Sequence, residues 1–261
     1  MARSKHLAAM FLLSVCSVML LSACSEKSEA PSETPTAVAT AATPAPKGTV
    51  QPGSAVVTSP KEAEKVTVPI TVSGTASVFE GTLDVAIESA DGSRTFCRAV
   101  TTASQGAPGA GTFEVILGFP PPPFTPPLAL GGRVHVFTQS PKDGSIQDLA
   151  IVPFVIASDE PNILINSPLC DAQVKSPVTI SGTASVFEAA LTLVVKDSSG
   201  NELASADIMA SEGAPGKGTF SQELTFSLSG GAQLGTIEAF NRSAEDGSVI
   251  NLFSVPVMLM P

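Results

Sequence analysis

The chain has 261 residues, of which 21 are Gly and 22 Pro, with 14 basic and 24 acidic side chains, a mix poor in helix and rich in turns. At 43% hydrophobic it is too apolar to be disordered throughout, and its length allows one large or two ordinary domains. The absence of Trp and Tyr removes the usual stacking platforms for sugars and single-stranded bases, and the net charge of −10 excludes nucleic acid and anionic headgroups as partners.

At the N-terminus, Arg3, Lys5 and His6 precede an uncharged, mostly apolar run from Leu7 to Ala23. It is short for a spanning helix and ends in small residues, which predicts a secretory signal peptide over 1–23. The closing Leu21, Ser22, Ala23 and Cys24 resemble the bacterial lipobox. That resemblance implies cleavage before Cys24 and attachment of lipid to its sulfur, with acyl chains such as palmitate. Leu13 to Cys16 is a competing site, disfavoured by the bulk of Val15 and the short apolar stretch before it. Two or three acyl chains hold a protein on a bilayer at about 0.8 kcal/mol per CH₂. Loss of Arg3 and Lys5 leaves 12 basic against 24 acidic residues. The expected location is extracytoplasmic, lipid-anchored to a bacterial membrane.

Residues 24–54 are rich in Ser, Thr, Pro, Ala and Glu, with no aromatic residue, and cannot bury enough surface to fold. They read as a disordered tether with an r.m.s. span of about 30 Å.

The rest is an internal repeat. SGTASVFE at 73–80 returns at 181–188, GAPGAGTF at 106–113 returns as GAPGKGTF at 213–220, and SPKDGS at 140–145 returns as SAEDGS at 243–248. The first copy carries extra residues in a Pro-rich insertion around Pro120 to Pro127, which belongs in a loop. Between the strings the apolar period is two, the mark of half-buried strands. Ile70, Val72, Gly74 and Ala76 match Val178, Ile180, Gly182 and Ala184. Leu83, Val85 and Ile87 match Leu191, Leu193 and Val195. Phe113, Leu117 and Phe119 match Phe220, Leu224 and Phe226, and Val134 and Val136 match Ile237 and Ala239. Asp91-Gly92 and Ser199-Gly200 predict tight hairpin turns, as do Asp143-Gly144 and Asp246-Gly247 before the last strand of each copy. About seven strands per copy without an amphipathic helix predict an all-β fold of two tandem Ig-like antiparallel β-sandwich domains, at 55–158 and 161–261.

The order SGTASVFE, GAPGxGTF, S-x-x-DGS and Val-Pro resembles the immunoglobulin-like domain of bacterial spore germination, over nearly all of 56–157 and 162–261. The resemblance implies an Ig-like sandwich outside a membrane, with an adhesive or scaffolding role. The companion germination domain found beside some relatives has no counterpart in this sequence, nor do the core Trp, corner Tyr and paired strand cysteines of antibody domains.

Candidate chemistry is sparse. His135, between core Val134 and Val136 and matched by Glu238, is expected to face solvent and to carry neither catalysis nor metal. A Cys97 and His135 nucleophile pair has no counterpart in the second copy. Phe79 and Phe187 are expected in the core, with Glu80 and Glu188 accepting backbone N–H bonds from the GAPG loop. Alternatives at this corner are a ligand site used twice and a calcium site, the latter without the dense acidic run that calcium favours. Cys97 and Cys170 fall at unmatched places and either form one disulfide across the domains or stay free. No catalytic residue, metal or cofactor is expected. The resulting reading is a non-enzymatic lipoprotein displaying two Ig-like modules to an envelope protein or polymer, with a germination role as the resemblance suggests. Alternatives are a structural spacer of the envelope and a hydrolase built on paired carboxylates.

Overall fold

The computed structural model describes residues 53–122 and 130–261. The lipid-attachment residue Cys24, its competitor Cys16, the tether as far as Pro52 and the later part of the Pro-rich insertion lie outside the described residues.

The first module runs β1 (Ser54–Ser59), β2 (Lys65–Val66), β3 (Ile70–Ser77), β4 (Thr82–Ser89), β5 (Thr95–Thr102), β6 (Gly111–Leu117), β7 (Leu130–Gln139) and β8 (Ile146–Ile156). The second repeats this as β9 (Ile163–Ser167), β10 (Gln173–Lys175), β11 (Val178–Ala184), β12 (Ala190–Asp197), β13 (Glu202–Met209), β14 (Gly218–Leu224), β15 (Gln233–Arg242) and β16 (Val249–Met260). A three-stranded sheet ordered β1-β3-β6 faces a five-stranded one ordered β2-β8-β7-β4-β5, and β9-β11-β14 faces β10-β16-β15-β12-β13. The chain therefore forms two tandem β-sandwiches. Each has eight strands rather than about seven, because β2 and β10 are too short to show a period. Both pair in parallel with the last strand of their module.

The alternating positions meet between the sheets. Ile70, Val72, Leu83, Val85, Ile87, Leu117, Val134 and Val136 are fully buried, as are Ile180, Leu193, Val195, Ile237 and Ala239. Burying each large aliphatic side chain contributes roughly 1.5–3 kcal/mol. The glycine of SGTAS stands where a Cβ would lie 2.2 Å from the Val56 carbonyl oxygen in the first copy and 2.0 Å from that of Leu164 in the second. Phe113 and Phe220 lay their rings over these glycines.

The hairpin turns close as their Asp-Gly and Ser-Gly pairs predict. Gly92, Gly144, Gly200 and Gly247 have φ between 70° and 82°, the left-handed region that glycine enters without cost. Asp91 Oδ1 accepts from the Ser89 hydroxyl at 2.6 Å and from the Ser93 amide and hydroxyl. Asp143 and Asp246 accept in the same way from Ser145 and Ser248, and Asp197 accepts from the amides of Ser199 and Asn201. These donors favour the ionised carboxylate, led in Asp91 by the Ser89 hydroxyl, and bring Asp91 down to about 2.

Six residues, 157–162, separate β8 from β9, and the modules are joined beyond this linker. The β16 segment Phe253–Val257 is buried on both faces. Phe253, Val255 and Val257 belong to the apolar core, while the Ser254 carbonyl accepts the Gly118 amide of the first module at 2.7 Å. A Cβ on Gly118 would lie 2.5 Å from that carbonyl oxygen. Beside this contact Cys97 of β5 is disulfide-bonded to Cys170, with Cα atoms 5.3 Å apart. Of the two outcomes left open by the sequence, the structure has the bridge.

Two outcomes follow. Replacing both cysteines by Ala should lower stability by on the order of 4 kcal/mol for a loop of this length, read as a drop in the urea midpoint; an unchanged midpoint contradicts the staple. NMR titration should place the folded Asp91 carboxyl near 2. Because this folded value lies below the unfolded one of 3.8, its stabilising contribution is complete above pH 3.8 and is lost as pH falls toward 2. Titration at the ordinary value contradicts the turn geometry.

Candidate interaction surface

The period-two pattern of the first repeated string runs inward at Ala76 and continues inward at Val78, and Val186 does the same in the second copy; all are buried. The next residue must then emerge. Phe79 is 80% exposed and Phe187 68%, which corrects the expectation that they fill the core. Each opens a one-turn 3₁₀ segment, Phe79–Gly81 and Phe187–Ala189.

The turn is tied by main chain. The Val78 carbonyl accepts the amides of Gly81 at 3.1 Å and Ala107 at 2.7 Å, and the Gly81 carbonyl accepts the Ala103 amide at 2.8 Å. In the second copy Val186 accepts from Ala189 and Ala214, and Ala189 from Ala210. Backbone carbonyls thus satisfy the GAPG donor assigned to the carboxylates. Glu80 and Glu188 are exposed, and among the described residues neither carboxylate makes a hydrogen bond. The loop-tying role is corrected accordingly.

Both glutamates have φ of 54°, where a Cβ crowds the following carbonyl at a cost of roughly 1–2 kcal/mol. The following position is Gly81 at φ 72° in one copy and Ala189 at φ 59° in the other. Two successive left-handed residues turn the chain sharply and hold the preceding Phe in water. The same strained turn, with the same Phe-Glu pair at its tip, stands in both modules.

The outer face of β4, β5, β7 and β8 holds the remaining candidates. His135 is only 7% exposed, which corrects the solvent-facing expectation. Its side chain does point outward, but longer polar neighbours cover it. Nδ1 lies 3.3 Å from Glu88 Oε1 and Nε2 2.7 Å from Asp148 Oδ1. Arg133 donates from Nε to Glu88 Oε2 at 2.8 Å. Next to this chain Arg98 donates from Nε and Nη2 to Asp84 Oδ1 at 2.9 and 2.7 Å, with its Cζ 5.3 Å from the Phe137 ring centroid. In the second copy a single pair, Lys196 Nζ and Glu238 Oε2 at 2.7 Å, replaces the Glu88 and His135 contact. These groups satisfy one another across a sheet face. Cys97 is held in the disulfide, so it is no nucleophile for His135, and among the described residues no group of three or more His, Cys, Asp or Glu is placed to hold a metal.

A sequence profile of the immunoglobulin-like domain of bacterial spore germination matches residues 54–145 and 162–248. No curated protein matches the chain. Among solved structures it is similar to the BSP domain of a biofilm-associated protein, at 20% identity and a TM-score of 0.24, covering 79% of this chain and 29% of that one. It is also similar to the fibronectin(III)-like modules of Clostridium thermocellum CbhA, at 13% identity and a TM-score of 0.22, covering 79% and 94%. A third is dimeric latent PorU from Porphyromonas gingivalis, at 8% identity and a TM-score of 0.26, covering 80% and 24%. The chain spans less than a third of the length of the first of these.

The turn geometry sets the sign of its mutations. Glu80→Gln and Glu188→Gln should leave stability within about 0.5 kcal/mol, as at other exposed sites. Ala189→Gly should raise it by about 1 kcal/mol, since glycine accepts positive φ freely. Urea midpoints check both, and a Gln substitution that costs more than about 1 kcal/mol would restore the loop-tying carboxylate.

Proposed function

Because the chain belongs to the family of the immunoglobulin-like domain of bacterial spore germination, we propose that it is a non-catalytic display protein of the cell envelope. In this reading lipid on Cys24 anchors it outside a bacterial membrane, residues 24–54 lift the modules off the bilayer, and Phe79 and Phe187 contact an envelope protein or polymer. The carrying observation is that both copies keep a large apolar side chain in water on the same strained turn. Folding gains almost nothing from an exposed Phe, and left-handed glutamate costs stability, so contact with a partner is the use that remains. Two such turns on joined modules engage a repeated or paired target by avidity, in which the second contact forms at a raised effective concentration. A spacer uses the same rigid joint but has no use for the two aromatics.

The family description brings germination to this chain as a further part of the proposal. Loss of germinant response on deleting the gene from a spore-forming host supports that part, and a normal response removes it.

Crosslinking on intact cells tests the display reading. Phe79→Ser with Phe187→Ser should cut recovery of the captured component roughly tenfold or more, as loss of central aromatic anchors does, with each single change giving a partial loss. Equal capture by the double variant rejects the reading. Cys24→Ala should release the protein from membranes or leave it as uncleaved precursor; a correctly cleaved variant that still partitions with detergent contradicts the anchor.

A further inference from the structure

The two modules share a fold but differ on the outer face of the five-stranded sheet, at the end near the Phe-Glu turn. In the first module this face is internally neutralised, with Arg98 clasping Asp84 over Phe137. The strand pairings place Ser205 where Arg98 stands, Thr192 at Asp84, Asp207 at Val100 and Met209 at Thr102. The second module keeps a carboxylate and loses its arginine. Asp207 Oδ1 accepts from the Thr192 hydroxyl at 2.7 Å, and among the described residues it has no ion-pair partner, nor has Glu188.

Apolar groups have gathered around this carboxylate. Met209 is 73% exposed and replaces an exposed Thr102, Ile250 replaces an exposed Gln147, and Ile208 replaces Thr101. With Phe187 they line a groove of about 580 Å³, the size of a ligand cleft. Arg242 is the cation in the groove, and it is engaged with the Phe240 ring at 5.4 Å and the Gly247 carbonyl at 3.2 Å. Beside the groove β13 is the free edge of its sheet, with a row of main-chain donors and acceptors open to another strand. The matching edge strand of the first module, β5, is stapled to the second module through Cys97, so the fold already uses that edge for docking once.

We propose that this groove and the β13 edge bind an extended polypeptide segment carrying a lysine or arginine with apolar residues two positions to either side. The basic side chain pairs with Asp207 and Glu188, apolar side chains two positions away on the same face cover Met209 and Phe187, and its main chain extends the sheet beyond β13. The absence of Trp and Tyr favours polypeptide over glycan. The inference rests on the display reading and assigns its partner a chemistry.

The test measures fluorescence anisotropy of labelled nonapeptides against the full chain. In one peptide a central Lys has Val two positions to either side and Ser at the positions between, a second replaces Lys by Glu, and a third replaces Val by Ser. The Val and Lys peptide should bind best, and Asp207→Asn and Met209→Thr should each weaken it by roughly fivefold or more. Val100→Asn, at the matching place in the first module, should leave it unchanged. Equal affinity for the Lys and Glu peptides, insensitivity to both groove substitutions, or tight binding of glycan strands that Asp207→Asn abolishes would each overturn the proposal. Capture on cells separates the two claims. If Phe79→Ser reduces capture while no peptide binds, the groove assignment alone fails; if neither phenylalanine affects capture, the display reading fails.

Discussion

Gly118 has no side chain because there is no room for one. A Cβ there would sit 2.5 Å from the Ser254 carbonyl oxygen and 2.7 Å from the Phe253 ring, so the backbones of the two modules meet directly and share a hydrogen bond. This close approach, with the disulfide beside it, turns two sandwiches on a six-residue linker into one body. Inter-domain motion is the ordinary expectation for tandem domains with a small polar contact. Here the buried apolar residues form one cluster across both modules. A fixed joint also gives the two exposed turns a defined separation, as the proposed bivalent contact requires.

The joint is encoded once. Aligned by strand pairing and repeat spacing, the second module has Ala204 where the first has Cys97 and Thr225 where it has Gly118, and the first has Glu62 where the second has Cys170. Neither the bridge nor the close backbone contact can form again at the free β13 edge. A surface that would extend a head-to-tail array has instead become polar at Gln222 and Asp207 and apolar at Met209. The copies have thus divided their labour. The first module spends its β5 and β6 edge on the joint and neutralises its outer face internally, while the second leaves the equivalent edge and face open.

Much of this was legible in the sequence. The repeat strings and the period-two runs located both cores and four hairpin turns, since sheet burial follows a strict alternation and Asp-Gly and Ser-Gly pairs suit φ above zero. At the Phe-Glu corner two cues in the sequence conflict. Continuing the period from Ala76 makes Val78 the inward residue and Phe79 outward, but a phenylalanine attracts a core assignment by its chemistry. The sequence puts His135 on the correct face with the wrong exposure, because its cover by Glu88 of β4 and Asp148 of β8 comes from two neighbouring strands that only pairing brings together. The two-residue β2 carries no period, and the choice between a bridge and free thiols needed the 5.3 Å Cα separation. Nothing in the sequence marks the joint: Leu149 to Ala157 of β8 is as continuously apolar as Leu252 to Met260 of β16, yet only the β16 segment is buried on both faces.

The joint can be read at one atom. In hydrogen exchange followed by NMR on the disulfide-intact protein, the Gly118 amide, which lies outside β6 and has no partner within its own module's sheet, reports on module docking alone. A fixed joint predicts protection of Gly118 comparable to that of the Val85 amide in the core strand β4. Exchange at the rate of an open loop, with Val85 still protected, would show two modules tethered but not joined and would contradict the account.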